Sequence, residues 1–366
     1  MQSLIADRMG LIDSSGIRKV FDLAKTLKNP INLSIGQPDF DVPEPVKAAA
    51  IHAIESGQNK YTVTQGIQAL RDEVVRFEKR HSGVRHDAAL ITSGVSGGML
   101  LALMALVNPG DRVAIADPYF VMYKHLCRLL GGDPLYVDTY PDFQLTVERL
   151  EQAGARDAKL LMLNSPNNPT GIVAPESELR AIAAWAKRND VFIISDEIYR
   201  FFSYDGPFAS IARFTDSVLL LNGFSKLAGM TGWRLGYAIG PEAVIEEMKK
   251  LQQFSFVCAP SMVQHAGLAA LRLDNSDRVR AYQAKRDIIY DGLRAKFSLE
   301  KPRGAFYAFV EAPDGDGDAF CAKAIQNNVL VIPGSVFSER KSHFRVAFAT
   351  EDETIEEGTA LLCSLV

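Results

Sequence analysis

Cysteine is scarce in this 366-residue chain, and the four present (Cys127, Cys258, Cys321 and Cys363) form no CxxC pair. The six histidines do not cluster with them. That spacing argues against a disulfide framework or a zinc site and favours buried, reduced thiols. An excess of one charge is also lacking. Forty Lys and Arg stand against 44 Asp and Glu, a net charge of −4 that gives no electrostatic case for nucleic acid or an anionic membrane. No apolar run is long enough to span a bilayer. The N-terminal stretch MQSLIADRMGLIDSSGIRKV carries charges throughout and has no signal-peptide core, so a cytoplasmic protein is expected. Tandem repeats and low-complexity tracts are missing. So is a GxGxxG fingerprint, which disfavours a nicotinamide dinucleotide enzyme.

What the chain does have is a rhythm. Short apolar runs, AALI (88–91), RVAIA (112–116), KLLML (159–163), VFII (191–194) and SVLLL (217–221), each lead into a polar or glycine-rich loop. Such runs, rich in Val, Ile and Leu and alternating with helical stretches, predict a mostly parallel sheet buried on both faces. Ligands of such sheets bind beyond the carboxyl ends of the strands. Every unusual polar residue below follows one of these runs, which points to a single site. Residues 276–297 predict one long amphipathic helix. GAFYAFV, NVLVIP and FRVAFA after it read as short strands. We expect a large domain over 45–275, with 1–44 and 276–366 forming a smaller α/β domain.

GFSKLAGMTGWRLGY (223–237) holds two cations, Lys226 and Arg234, and no carboxylate. A solvated loop needs no partner for them, but a buried pair needs an anion. TSGVSGGM (92–99) opens a helix with small residues, and helix N-termini seat phosphates. Asp196 ends an apolar run, where a carboxylate is costly unless it meets a cation. Asn168 and Tyr199 follow strand ends and offer hydrogen-bonding groups. Singly, each has a structural explanation. Together, a lysine activated by burial and nearby positive charge, an Asp for a pyridinium nitrogen, and an Arg with a Gly/Ser loop for phosphate describe pyridoxal phosphate.

The run 223–236 also resembles the lysine signature of the class I/II aminotransferases, the fold-type I pyridoxal-phosphate enzymes. NSPNNPTG, SDEIY and FRVAFA resemble that family's landmarks. GQPDF and KYTVTQG are similar to its aspartate and aromatic aminotransferase branch. The resemblance implies an α/β fold whose large domain holds a mostly parallel seven-stranded sheet flanked by helices. It implies an amino-acid aminotransferase acting by ping-pong half-reactions, with 2-oxoglutarate or another 2-oxo acid as acceptor. By the same resemblance Lys226 carries the cofactor as a Schiff base and shuttles a proton. Asp196 pairs with the ring nitrogen, and Asn168 and Tyr199 bond its phenolic oxygen. Phe120 stacks on the ring, while Arg234 and the backbone of Val95 and Ser96 hold the phosphate. Arg345 takes the substrate α-carboxylate beside Gly36 and Asn168. Tyr61 reaches the neighbouring subunit's phosphate in a homodimer with shared sites. The DSS run at 13–15 lies where relatives shape the side-chain pocket. One departure is Gly223, which stands where many relatives have a phosphate-binding Ser; Ser225 is the substitute. A carbon–sulfur β-lyase or racemase using the same site is the nearest alternative. A ligand-sensing module without catalysis is a further one.

Overall fold

A computed structural model describes residues 4–14, 16, 17, 20 and 27–366. After a short strand β1 (Ile31–Asn32), the chain lays down seven strands of one sheet. These are β2 (Ala88–Ser93), β3 (Arg112–Asp117), β4 (Asp133–Asp138), β5 (Leu160–Asn164), β6 (Phe192–Asp196), β7 (Val218–Gly223) and β8 (Leu235–Gly240). Their spatial order is β2-β8-β7-β6-β5-β3-β4, and β8 runs antiparallel to both its neighbours while the other pairs are parallel.

Alternation of side chains explains why both faces are apolar. Leu161 and Leu163 of β5, Ile193 of β6, and Val218 and Leu220 of β7 pack with Leu179, Ile182 and Trp185 of the helix Glu176–Arg188. Their neighbours Leu160, Met162, Ile194, Leu219 and Leu221 point the other way, onto Met99, Leu101 and Leu103. The sheet is therefore a filled three-layer sandwich, as continuous apolar runs require.

Residues 223–237 hold the end of β7, the one-turn helix Phe224–Leu227 and the start of β8. The helix expected over 276–297 ends at Leu293, because Phe297 turns inward against Phe320 and Phe344.

The later chain builds a three-stranded antiparallel sheet from β9 (Tyr307–Glu311), β11 (Ile332–Pro333) and β12 (His343–Ala347). β1 pairs in parallel with β10 (Val329–Leu330), so the two ends of the chain meet. Among the described residues no helix is long and apolar enough to cross a membrane.

Candidate active site

The carboxyl ends of β5, β6 and β7 open into a cavity of about 300 Å³. Strand register does much of the placing. Asn164, last in β5, lies opposite Asp196, last in β6. The loop after β5 returns Asn168, whose backbone N–H donates to Asn164 Oδ1 at 2.9 Å. The turn after β6 supplies Tyr199, and the one-turn helix after β7 supplies Ser225 and Lys226. Helix α1 (Gly94–Leu106) starts directly after β2 and brings Val95 and Ser96. Helix α2 (Val121–Leu129), preceded by Phe120, brings Met122 and Tyr123. Gly36 and, from β12, Arg345 complete the wall.

The charged groups among the described lining residues are Lys226, Arg234, Arg345 and Asp196. Three cations against one carboxylate make this a site for anions. Arg345 states the need most plainly. It is 1 % exposed, with Nη1 donating to Asn168 Oδ1 at 3.0 Å and Nη2 to the Ser34 carbonyl at 2.9 Å. Its guanidinium lies between the rings of Tyr307 and Phe337, 4.4 and 4.6 Å from their centroids. Among the described residues Nε has no partner, and burial pulls the pKa below its ordinary value. A buried guanidinium held only by neutral oxygens calls for a carboxylate from outside.

Lys226 as a residue is half-buried, but its amine is enclosed and donates to the Gly36 carbonyl at 2.7 Å. Burial, then the charges of Arg345 and Arg234, lower its pKa from 10.5 to about 8, with Asp196 opposing. Roughly a tenth of the amine is then neutral at pH 7, against roughly 0.03 % for an unperturbed lysine. The neutral fraction rises as pH rises through 8. Competitive acetylation of the cofactor-free protein is expected to give Lys226 a midpoint near 8, about two units below the exposed lysines. A midpoint above 10 would mean that the amine is solvated.

Asp196 is enclosed as well. Burial pushes its pKa up to about 6, while donors from Tyr123 Oη (2.7 Å) and the Ile198 N–H (3.2 Å), with Lys226, pull it back. At the opposite end, Gly94 sits at φ +67°, and a Cβ there would fall 2.5 Å from Arg234 Nη2. The guanidinium of Arg234 thus reaches the start of α1, whose first turn has no side-chain cap. Free N–H groups beside an arginine form an anion seat. Arg234 is nonetheless exposed, with Nη1 donating to the Thr231 carbonyl at 2.9 Å, so only one cation of the 223–237 run is enclosed.

Of the residues expected from the sequence, Gly36, Val95, Ser96, Phe120, Asn168, Asp196, Tyr199, Ser225, Lys226, Arg234 and Arg345 all line this cavity. Tyr61 does not. It is 86 % exposed and is not packed within its own subunit. Ser15, in the DSS run, lies outside the described residues. Sequence reasoning missed Tyr123, Tyr307 and Asn164. Tyr123 stands three residues after Phe120, a helical spacing that puts both on one side and could have revealed it. Tyr307 shares a hydrogen bond with Tyr199 Oη at 2.8 Å, a contact across 108 positions that no local signal announces.

A family model described as aminotransferase class I and II matches residues 28–361. A probable aspartate aminotransferase of Methanocaldococcus jannaschii is 37 % identical, covering 98 % of this chain and 99 % of the relative. The aromatic-amino-acid aminotransferase 2 of Thermococcus litoralis is 36 % identical, with 96 % of each chain covered. Among solved structures, the aspartate aminotransferase of Thermus thermophilus with maleate superposes with a TM-score of 0.93. It is 32 % identical over 99 % of both chains.

Proposed function

Because the chain belongs to the class I and II aminotransferases, we propose that it moves an amino group from an L-amino acid to a 2-oxo acid in two half-reactions on pyridoxal phosphate. The residues present fit that cofactor. An enclosed, partly neutral amine suits an aldehyde, a buried Asp suits a ring nitrogen, and the glycine-opened start of α1 with Arg234 suits a phosphate. When bound, pyridoxal phosphate supplies a carbonyl electrophile and a ring that accepts the electrons released at the substrate Cα.

The chain's own residues do the rest. Lys226 would hold the cofactor covalently through Nζ and, once freed, carry the proton away from the substrate Cα. Asp196 would keep a proton on the ring nitrogen, Asn168 and Tyr199 would hold its phenolic oxygen, and Phe120 would pack on the ring. Arg234, Val95, Ser96 and Ser225 would hold the phosphate. Arg345, with Gly36 and Asn168 beside it, reads the α-carboxylate by a two-pronged contact. A cytoplasmic homodimer belongs to the same proposal, with Tyr61 serving the partner subunit's site. So does the division into 45–275 and the two chain ends.

The enclosed amine of Lys226, set among Asp196, Arg234 and Arg345, carries this reading. An amino acid supplied alone should yield one equivalent of 2-oxo acid per site and stop, restarting only when a second 2-oxo acid is added. Continuous release of a sulfur leaving group would identify a lyase instead. No 2-oxo acid with any amino acid would overturn the proposal.

A further inference from the structure

We propose that Tyr123 is a positioning residue for the electron-accepting end of the site: its hydroxyl fixes the Asp196 carboxylate and favours its anionic form opposite the cofactor's ring nitrogen. This rests on the pyridoxal phosphate reading above.

Tyr123 is 3 % exposed and lines the cavity beside Asp196. Its Oη donates to Asp196 Oδ2 at 2.7 Å, whereas the other oxygen receives only the longer bond from the Ile198 N–H, 3.2 Å. The charged and titratable groups facing Asp196 are Tyr123, Lys226 and Tyr199. Lys226 also favours the anion, but its amine is committed to holding the cofactor. Tyr123 has no such second duty. Burial first, then Asp196 itself, raise its pKa well above the ordinary tyrosine value, so it stays a donor across the working pH range. The ring of Tyr123 also meets that of Phe120 edge-on, with centroids 5.7 Å apart. One residue of α2 therefore supports both the ring that covers the cofactor and the acid at its nitrogen.

A hydrogen bond to a charged group shifts an equilibrium by about 10- to 100-fold. Removing this one should move the shared proton from the ring nitrogen toward Asp196 by that factor. The test uses holoenzyme loaded with pyridoxal phosphate labelled with ¹⁵N in the ring. In Tyr123→Phe, which keeps the aromatic ring and its packing, the nitrogen resonance should move toward that of neutral pyridine. The first half-reaction should slow by about 10- to 100-fold, with KM for the amino acid changed less than about twofold. In an Asp196→Asn background the same substitution should change the rate by less than about twofold, because the carboxylate it acts on is gone. An unmoved resonance with an unchanged rate, or an equal loss in both backgrounds, would make Tyr123 a packing residue and overturn the proposal. Wild-type protein that binds no pyridoxal phosphate, or whose bound ring nitrogen carries no proton, would instead sink the reading of the site.

Discussion

Lys226→Ala is expected to leave a folded protein that takes up pyridoxal phosphate without covalent attachment and loses transamination by roughly four orders of magnitude. That is the upper end of what one positioned proton carrier supplies. Two roles are lost with one amine, and the other cationic side chains among the described lining residues, Arg234 and Arg345, do not release protons. The loss should fall on the rate of the first half-reaction, read in a single turnover. Borohydride should fix the cofactor to Lys226 in the wild type. Labelling at another lysine, or normal turnover of the alanine variant, would remove Lys226 from the mechanism. The same variant tests the shared site. Mixed with Tyr61→Ala, itself first shown to be impaired, it should regain activity on subunit exchange. One site of the heterodimer then carries both lesions and the other none. Verified heterodimers without recovery would rule out the shared site.

Glu78→Ala should cost about 3–5 kcal/mol of stability, the range for stripping one partner from a buried ion pair. Both Glu78 and Arg200 are buried. Nη1 and Nη2 of Arg200 donate to the two carboxylate oxygens at 2.5 and 2.6 Å, and Tyr237 Oη donates to one of them at 2.6 Å. Without Glu78 the guanidinium keeps only Glu197, 3.7 Å away, as a counter-charge. Replacing both partners, Glu78→Met with Arg200→Met, should restore only part of the loss, because the lone guanidinium is gone but the buried Glu197 then loses its own counter-charge. Denaturant midpoints at one fixed protein concentration are the measure. A single-variant loss under about 1 kcal/mol would mean that Glu197 takes over the pairing.

The five strands visible as apolar runs are buried on both faces, so their composition alone betrays them. β4 and β8 were hidden for different reasons. DPLYVD sits at the sheet edge, where a proline and half-exposed side chains are tolerated. LGYAIG carries two glycines and follows directly on the lysine segment, so its apolar character does not stand out as a separate run. The site divided in the same way. Lys226, Asp196 and Arg345 were legible because each is an ionisable residue in apolar or small-residue company. The Glu78–Arg200 pair spans 122 positions and leaves no trace in either neighbourhood. Tyr123 was printed within a recognised stretch, yet its value lies in an oxygen 73 positions away.

The register that pairs Ser93 with Leu235 bears on the order in which the molecule can be assembled. β2 is the first strand of the large sheet to leave the ribosome and β8 the last, yet they are neighbours. Gly94 and Arg234, which meet at the proposed anion seat, stand just past one strand and just before the other. Some 142 positions (235 − 93) must be synthesised and a loop of that size closed before the two can meet. The earlier strands can pair while this joint is still open. On the proposed reading, the phosphate seat would therefore be complete only once β8 has joined β2, the step that closes the sheet.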